Sequence, residues 1–337
     1  MRWRTFQQRT VLLLGVCLVL VSIAATGCVF VSTKGLFSGG PQPLEETVLF
    51  GKGKDKILFM EIQGLISERE SSKPFRFQTE PSMVASVKEQ LDKASRDDRI
   101  RGILLMINSP GGTVTASDII YNEIRHFKAE KKVKVVALLN GTATSGAYYV
   151  AQGADRIIAY PTSVTGSIGV ILMNINLYGL MEKIGVSDET IKSGMYKDLG
   201  SPFRKPGKGE KEILQGVVDE LYGRFVSVVA ENRKGQSVAD KPEWMDGRIF
   251  TARQALSEGL IDQIGYVSDA LDWVQSAAAV PEARVVRYQR PGAYQPTIYS
   301  QGTDKGFHAE FNLIKLDLEG LLSSCGPTFM YLWMPGV

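Results

Sequence analysis

A chain of 337 residues, 44% hydrophobic and 22% charged, has the length for one large domain or two and the composition of neither a disordered nor a fibrous protein. Its 39 basic and 36 acidic residues leave a formal net charge of +3, which excludes a strongly basic nucleic-acid binder, and the modest apolar content excludes a multi-span membrane protein. Two histidines, His126 and His308, rule out a three-histidine metal site, and Cys17, Cys28 and Cys325 form no CxxC pair.

The N-terminus places Arg2, Arg4 and Arg9 ahead of the uncharged apolar run Val11 to Ala25, the order of a secretory signal. Two fates are open. The 21 residues from Val11 to Val31 suffice for an uncleaved anchor, which needs about 20. Alternatively, Ala25-Thr26-Gly27-Cys28 is similar to a bacterial lipobox, with cleavage before Cys28 and lipid on its thiol. In both, residues 1–31 hold the chain at the inner (cytoplasmic) membrane, with the basic end inside and the remaining chain on the outer side. Residues 32–54, rich in Gly, Ser, Pro and Lys, read as a tether.

Regular structure is expected from there. Ile57 to Ile62 is a short apolar run and predicts a strand. Met83 to Ala94 has helical spacing. Ile100 to Ile107 predicts a buried strand ending in Asn108-Ser109-Pro110-Gly111-Gly112, and Thr115 to Phe127 a helix. A strand from Lys134 to Leu139 leads to a turn of small residues, Asn140 to Gly146, and a helix to about Gln152. Arg156 to Tyr160 and Ile168 to Met173 predict strands; Leu177 to Ile184 and Lys211 to Asn232 predict helices. Thr251 with Gln254 has the spacing of a capping box, for a helix ending near Gly259. Strands alternating with helices define an α/β domain with parallel pairing over residues 55–285. In the tail, 286–337, a helical stretch from Asn312 to Leu322 precedes the apolar Phe329-Met330-Tyr331-Leu332-Trp333, which is expected to pack on the domain or an oligomer.

Two turns have the composition of a reactive site. In Gly141-Thr142-Ala143-Thr144-Ser145-Gly146-Ala147, small residues permit unusual backbone angles, and Ser145 opens a helix whose free amides favour a negative oxygen. The same turn also suits plain tight packing. Ser109-Pro110-Gly111-Gly112 follows a strand, and its glycines can present amides to an oxyanion or simply make a turn. A serine nucleophile needs a base. His126 sits between Arg125 and Lys128 on a solvated helix face, and His308 lies in the tail. A lysine serves instead if burial lowers its pKa, but composition does not select one.

Taken in order, Ile107 to Gly112, Ala143 to Tyr149, Thr165 to Val170, Lys192 to Asp198, and Gly247 to Ala252 with Gly259 to Asp262 resemble the signal peptide peptidase A family in its short form. These are membrane-bound Ser-Lys peptidases. The resemblance covers roughly residues 55 to 280. It implies a ClpP/crotonase-like fold of repeated β-β-α units behind the N-terminal membrane segment. Ser145 falls on the nucleophile, Lys197 on the general base, and Ser167 on the serine that orients the lysine amine. Gly146 and either Gly111 or Gly112 fall on the oxyanion amides. Ala147 departs from a glycine common in the family, which bears on substrate fit. The implied reaction is hydrolysis of remnant signal peptides through an acyl-enzyme, without metal or cofactor and with activity rising into mildly alkaline pH. The implied assembly is a homo-octamer in which neighbouring protomers help to complete each site. Three other readings compete: a crotonase-type thioester enzyme, an inactive envelope scaffold, and an exported peptidase acting on other membrane proteins or lipoproteins.

Overall fold

The computed structural model describes residues 43–72, 79–233, 244–291 and 328–333. The expected membrane segment with Cys28, and the expected helix at 312–322, lie outside the described residues, as do His308 and Cys325. Among the described residues, no helix is long and apolar enough to cross a membrane.

The strands are β1 (Glu45–Gly51), β2 (Asp55–Gln63), β3 (Ser71–Ser72), β4 (Thr79–Glu80), β5 (Ile100–Ser109), β6 (Gly111–Thr113), β7 (Lys134–Thr144), β8 (Arg156–Ala159), β9 (Val164–Gly166), β10 (Ile171–Met173), β11 (Ile249–Thr251), β12 (Gln263–Ile264), β13 (Ala283–Gln289) and β14 (Thr328–Leu332). The helices are α1 (Met83–Ser95), α2 (Val114–Lys131), α3 (Gly146–Ala151), α4 (Tyr178–Ile184), α5 (Glu210–Asn232), α6 (Ala252–Ser257) and α7 (Val267–Ala277). The main sheet runs β1-β13-β2-β5-β7-β8-β12, with β9 joined to the end of β7 and β11 joined to β9. From β13 to β12 every neighbour on this path is parallel, and β1 closes one edge antiparallel to β13.

The parallel strands are apolar on both faces because both faces are covered. Leu58, Met60 and Ile62 of β2 point into a core shared with α1, α2, α3, α5 and α6. Ile57 and Phe59, one residue out of phase, point into a second core shared with α7. Helix starts are fixed by side chains: the Ser82 hydroxyl accepts from the Ala85 amide, and Thr113 accepts from Ala116. Thr251 and Gln254 form the capping box that their spacing predicts.

Four sequence expectations are corrected. The tether ends earlier than its composition indicates, because Glu45–Gly51 pairs with β13; Val48-Leu49-Phe50 supplies the β-forming residues between glycine- and lysine-rich flanks. The domain continues past 285, since β13 runs to Gln289 and β14 belongs to a second sheet. The turn of small residues is shorter than expected: β7 extends through Thr144, held by pairing of Thr142 to Thr144 with β9. The strand expected at Ile168 to Met173 is shortened to β10, Ile171–Met173, and is preceded by a strand that was not expected, β9, which ends at the positive-φ pair Gly166 and Ser167.

That second sheet has the order β10-β14-β6, antiparallel throughout. It lies at the carboxyl ends of β5 and β7, where ligand sites of parallel sheets form.

Candidate active site

Ser145 is the single residue between β7 and α3, and its backbone is strained, at φ 53° and ψ −117°. A non-glycine residue holds such angles only when its surroundings enforce them. Here the Ser145 amide donates to the Gly166 carbonyl at 2.8 Å, and its carbonyl accepts from the Tyr149 amide at 2.9 Å. Ser145 is 1% exposed.

Opposite it, β6 is clamped on both sides. The Ile66 amide donates to the Gly111 carbonyl at 2.9 Å and the Thr113 amide to the Ile66 carbonyl at 2.9 Å. On the other edge, β14 pairs Tyr331 with Gly112. A Cβ on Gly112 would sit 1.9 Å from the Ile66 carbonyl oxygen, so only glycine fits. The Gly111 amide is already used, donating to Ser109 Oγ at 3.1 Å. The Gly112 amide faces Gly146 instead: a Cβ on Gly146 would lie 3.2 Å from that nitrogen and 3.0 Å from the Tyr331 carbonyl oxygen. The Gly112 and Gly146 backbones thus lie side by side next to the Tyr331 carbonyl oxygen.

Ser167 also has positive φ, 54°, and its amide donates to the Arg248 carbonyl at 2.7 Å. It lines a cavity of about 440 Å³ together with Met173, Asp246, Leu332 and Trp333. Ala147 is fully buried in α3 rather than facing this cavity.

Lys197 is placed differently. It is exposed, in the irregular stretch between α4 and α5, and among the described residues no hydrogen bond joins its ammonium to Ser145 or Ser167. Its neighbour Asp198 is tightly held, by Arg204 at 2.7 Å and Lys192 at 2.7 Å. Hydrogen bonds from Arg204 and Lys192 keep the Asp198 carboxyl well below the usual carboxylate range. Arg204 also bonds Glu210 at 2.5 Å, tying this stretch to the start of α5. The structure therefore brings Ser145, Gly146, Gly112 and Ser167 to the ends of β6, β7 and β9, and leaves Lys197 on the surface. His126 is exposed on α2, as its charged neighbours indicate.

Sequence reading missed the part played by residues 328–333. Their five consecutive apolar residues show no alternation, so the strand signal was hidden. It also missed the aromatic cluster of Tyr121, Tyr149 and Phe225 beside Ser145, whose members stand on three helices far apart in sequence.

A strained, buried serine beside closely packed glycine turns at the carboxyl end of a parallel sheet fits a serine peptidase, and the relatives agree. The model of peptidase family S49 matches residues 127–281, and that of the Clp protease matches residues 75–165. The chain is 39% identical over 254 residues to an Enterococcus faecium protein provisionally named signal peptide peptidase SppA, covering 75% of this chain and 73% of that one. It is 32% identical to the chloroplastic serine protease SPPA of Arabidopsis thaliana, over 74% of this chain and 36% of that one. Among solved structures, ClpP1 of Listeria monocytogenes superposes with a TM-score of 0.41 at 18% identity, covering 63% of this chain and 94% of that one. The chain belongs to peptidase family S49.

Proposed function

We propose that the protein is a membrane-associated serine endopeptidase that uses Ser145 as nucleophile and Lys197 as general base to degrade signal peptides left in the membrane after release from secretory preproteins. The observation that carries this reading is the strained, buried Ser145 set beside the closely packed Gly112 and Gly146 backbones.

Neutral Lys197 takes the Ser145 proton as the oxygen attacks a peptide carbonyl. Gly112 and Gly146 hold the oxyanion; Gly112 is favoured over Gly111 because the Gly111 amide donates to Ser109 Oγ. Lys197 then protonates the leaving amine, and water hydrolyses the acyl-enzyme. Ser167 orients the amine.

Lys197 is exposed on the single chain, so a base role calls for further contacts to close around it. The residues around it supply a reason for covering: Ile191, Met195 and Tyr196 are exposed apolar side chains, as are Leu180 and Ile184 of α4. We assign this surface to contacts between copies, consistent with a homo-octamer whose neighbours complete each site. Residues 1–31 anchor the assembly in the inner membrane, as a signal anchor or through lipid on Cys28, with the domain on the outer side.

The test is cleavage of an apolar fluorogenic peptide by the full chain in detergent, beside Ser145→Ala and Lys197→Ala. The expected outcome is cleavage by the parent and a loss of about 1,000-fold or more in both variants with folding retained. Full activity in either folded variant overturns the dyad.

A further inference from the structure

Between Lys192 and Lys205 the chain carries four cations, and three of them are committed. Lys192 Nζ donates to both oxygens of Asp198, at 2.7 and 2.9 Å. Arg204 donates from Nε to Asp198 Oδ2 at 2.7 Å and from Nη2 to Oδ1 at 2.8 Å and to the Asp198 carbonyl at 3.0 Å. Lys205 sits over the Tyr178 ring, 5.0 Å from its centre. The Lys197 ammonium, among the described residues, makes no such contact.

That freedom runs against its position in the chain. Asp198 follows Lys197 directly, and a carboxylate within reach of an ammonium pairs with it and favours its charged form. A carboxylate has about four acceptor sites, and the two bonds from Lys192 and two from Arg204 fill them. The clamp is sheltered: the Asp198 and Arg204 side chains are 15% and 19% exposed, and Arg204 reaches on to Glu210 at 2.5 Å. Pairs held in this way are screened less than surface pairs. The backbone closes the same turn, with the Lys197 amide donating to the Gly194 carbonyl at 3.1 Å and the Ser201 amide to the Asp198 carbonyl at 2.9 Å. Of the other carboxylates on the flanking elements, Glu182 accepts from the Tyr178 hydroxyl at 2.6 Å and Asp188 from the Thr190 amide at 3.1 Å, while Glu189 and Glu212 are exposed.

On the peptidase reading above, we infer that Arg204 and Lys192 are positioning residues of the reaction: they saturate Asp198, so that the carboxylate next to the base does not pair with it and the Lys197 amine stays free to take the Ser145 proton. Removing either cation opens an acceptor on Asp198 one residue from Lys197. Removing the charge of Asp198 as well abolishes the competitor.

The experiment measures kcat and KM of the full chain in detergent from about pH 6 to 10, with an apolar fluorogenic peptide. Arg204→Gln is expected to move the rising limb of kcat upward by about 0.5 to 1 pH unit. That is a loss of about 3- to 10-fold at neutral pH which vanishes above the limb, with KM within about 2-fold of the parent. Lys192→Gln is expected to move the limb in the same direction by less. Asp198→Asn added to Arg204→Gln is expected to return the limb to the parent position. A kcat lowered equally at every pH, a limb that Asp198→Asn does not return, or an unmoved limb in folded Arg204→Gln overturns the inference. Where Arg204→Gln does not fold, Lys192→Gln with and without Asp198→Asn decides by the same criteria. If the parent cleaves no peptide, the peptidase reading falls, and competitive acetylation of the lysines, mapped by mass spectrometry, still decides the clamp. The pH at which Lys197 is half labelled is expected to rise by about 0.5 to 1 unit in Arg204→Gln, and no rise overturns the clamp.

Discussion

The two regions that share the proposed chemistry are built in opposite ways. Around Ser145 the backbone is immobilised: its amide and carbonyl are both bonded, β6 is clamped on two edges, and packing permits no side chain on Gly112. Around Lys197 the chain is irregular and exposed, and charge holds it in place, through Asp198, Arg204, Lys192 and Glu210. α4, which leads into this stretch, buries none of its residues. A hydrophobic interior thus fixes the proposed nucleophile and the proposed oxyanion glycines. The proposed base, Lys197, is carried on the surface of the chain. The difference separates a part fixed by packing from a part held by surface charge.

Substitutions on the two sides should therefore fail differently. The largest effect is expected from Gly112→Ala, where the added carbon meets the Ile66 carbonyl oxygen at 1.9 Å. The expected outcome is a stability loss of about 3 kcal/mol in urea unfolding, with peptidase activity reduced about 100-fold or more. Lys197→Ala lies at the other extreme: calorimetry should find its stability within about 0.5 kcal/mol of the parent, because an exposed side chain is removed, even as cleavage disappears. A large drop in its melting temperature would mean that Lys197 is packed within its own chain, against the contrast drawn here.

Ser145→Gly sharpens the strained side. Glycine adopts φ 53° and ψ −117° without the penalty of a Cβ, so the inactive variant should be more stable than the parent by about 1 kcal/mol. A less stable variant would place the strain elsewhere. The smallest effect is on pH dependence. Asp198 is held down by Arg204 and Lys192. Burial acts to raise Asp97, but hydrogen bonds from Lys56 and Arg99 outweigh it and hold the carboxyl below its usual range. Both carboxyls are depressed in the fold, so their contribution is present above the unfolded value of about 4 and lost as pH falls through the folded one. Glu61 works in the opposite direction: burial raises it despite Arg287, so its contribution fades as pH rises through its folded value. Urea midpoints measured downward from pH 5 should decline, and Arg204→Ala should flatten part of that decline.

The pattern of residues made much of this legible. The parallel core announces itself because Ile57 to Ile62 and Ile100 to Ile107 are apolar on both faces, and the capping box at Thr251 needs only local spacing. The Ser145 and Gly112 turns are readable for the same reason, since close approach demands small residues there. Other features depend on distant partners. The Glu45–Gly51 strand exists because β13 offers it an edge, and Thr328–Leu332 because β6 and β10 flank it. The choice between Gly111 and Gly112 depends on Ser109 Oγ capturing one amide, which spacing does not encode.

The most direct measurement of the central claim is covalent labelling of the full chain with a fluorophosphonate, which reacts only with an activated serine, followed by peptide mass mapping. The account predicts a single labelled residue, Ser145, and a labelling rate lowered about 1,000-fold in Lys197→Ala at neutral pH. Label on a different serine, or on Ser145 at the parent rate without Lys197, would contradict it.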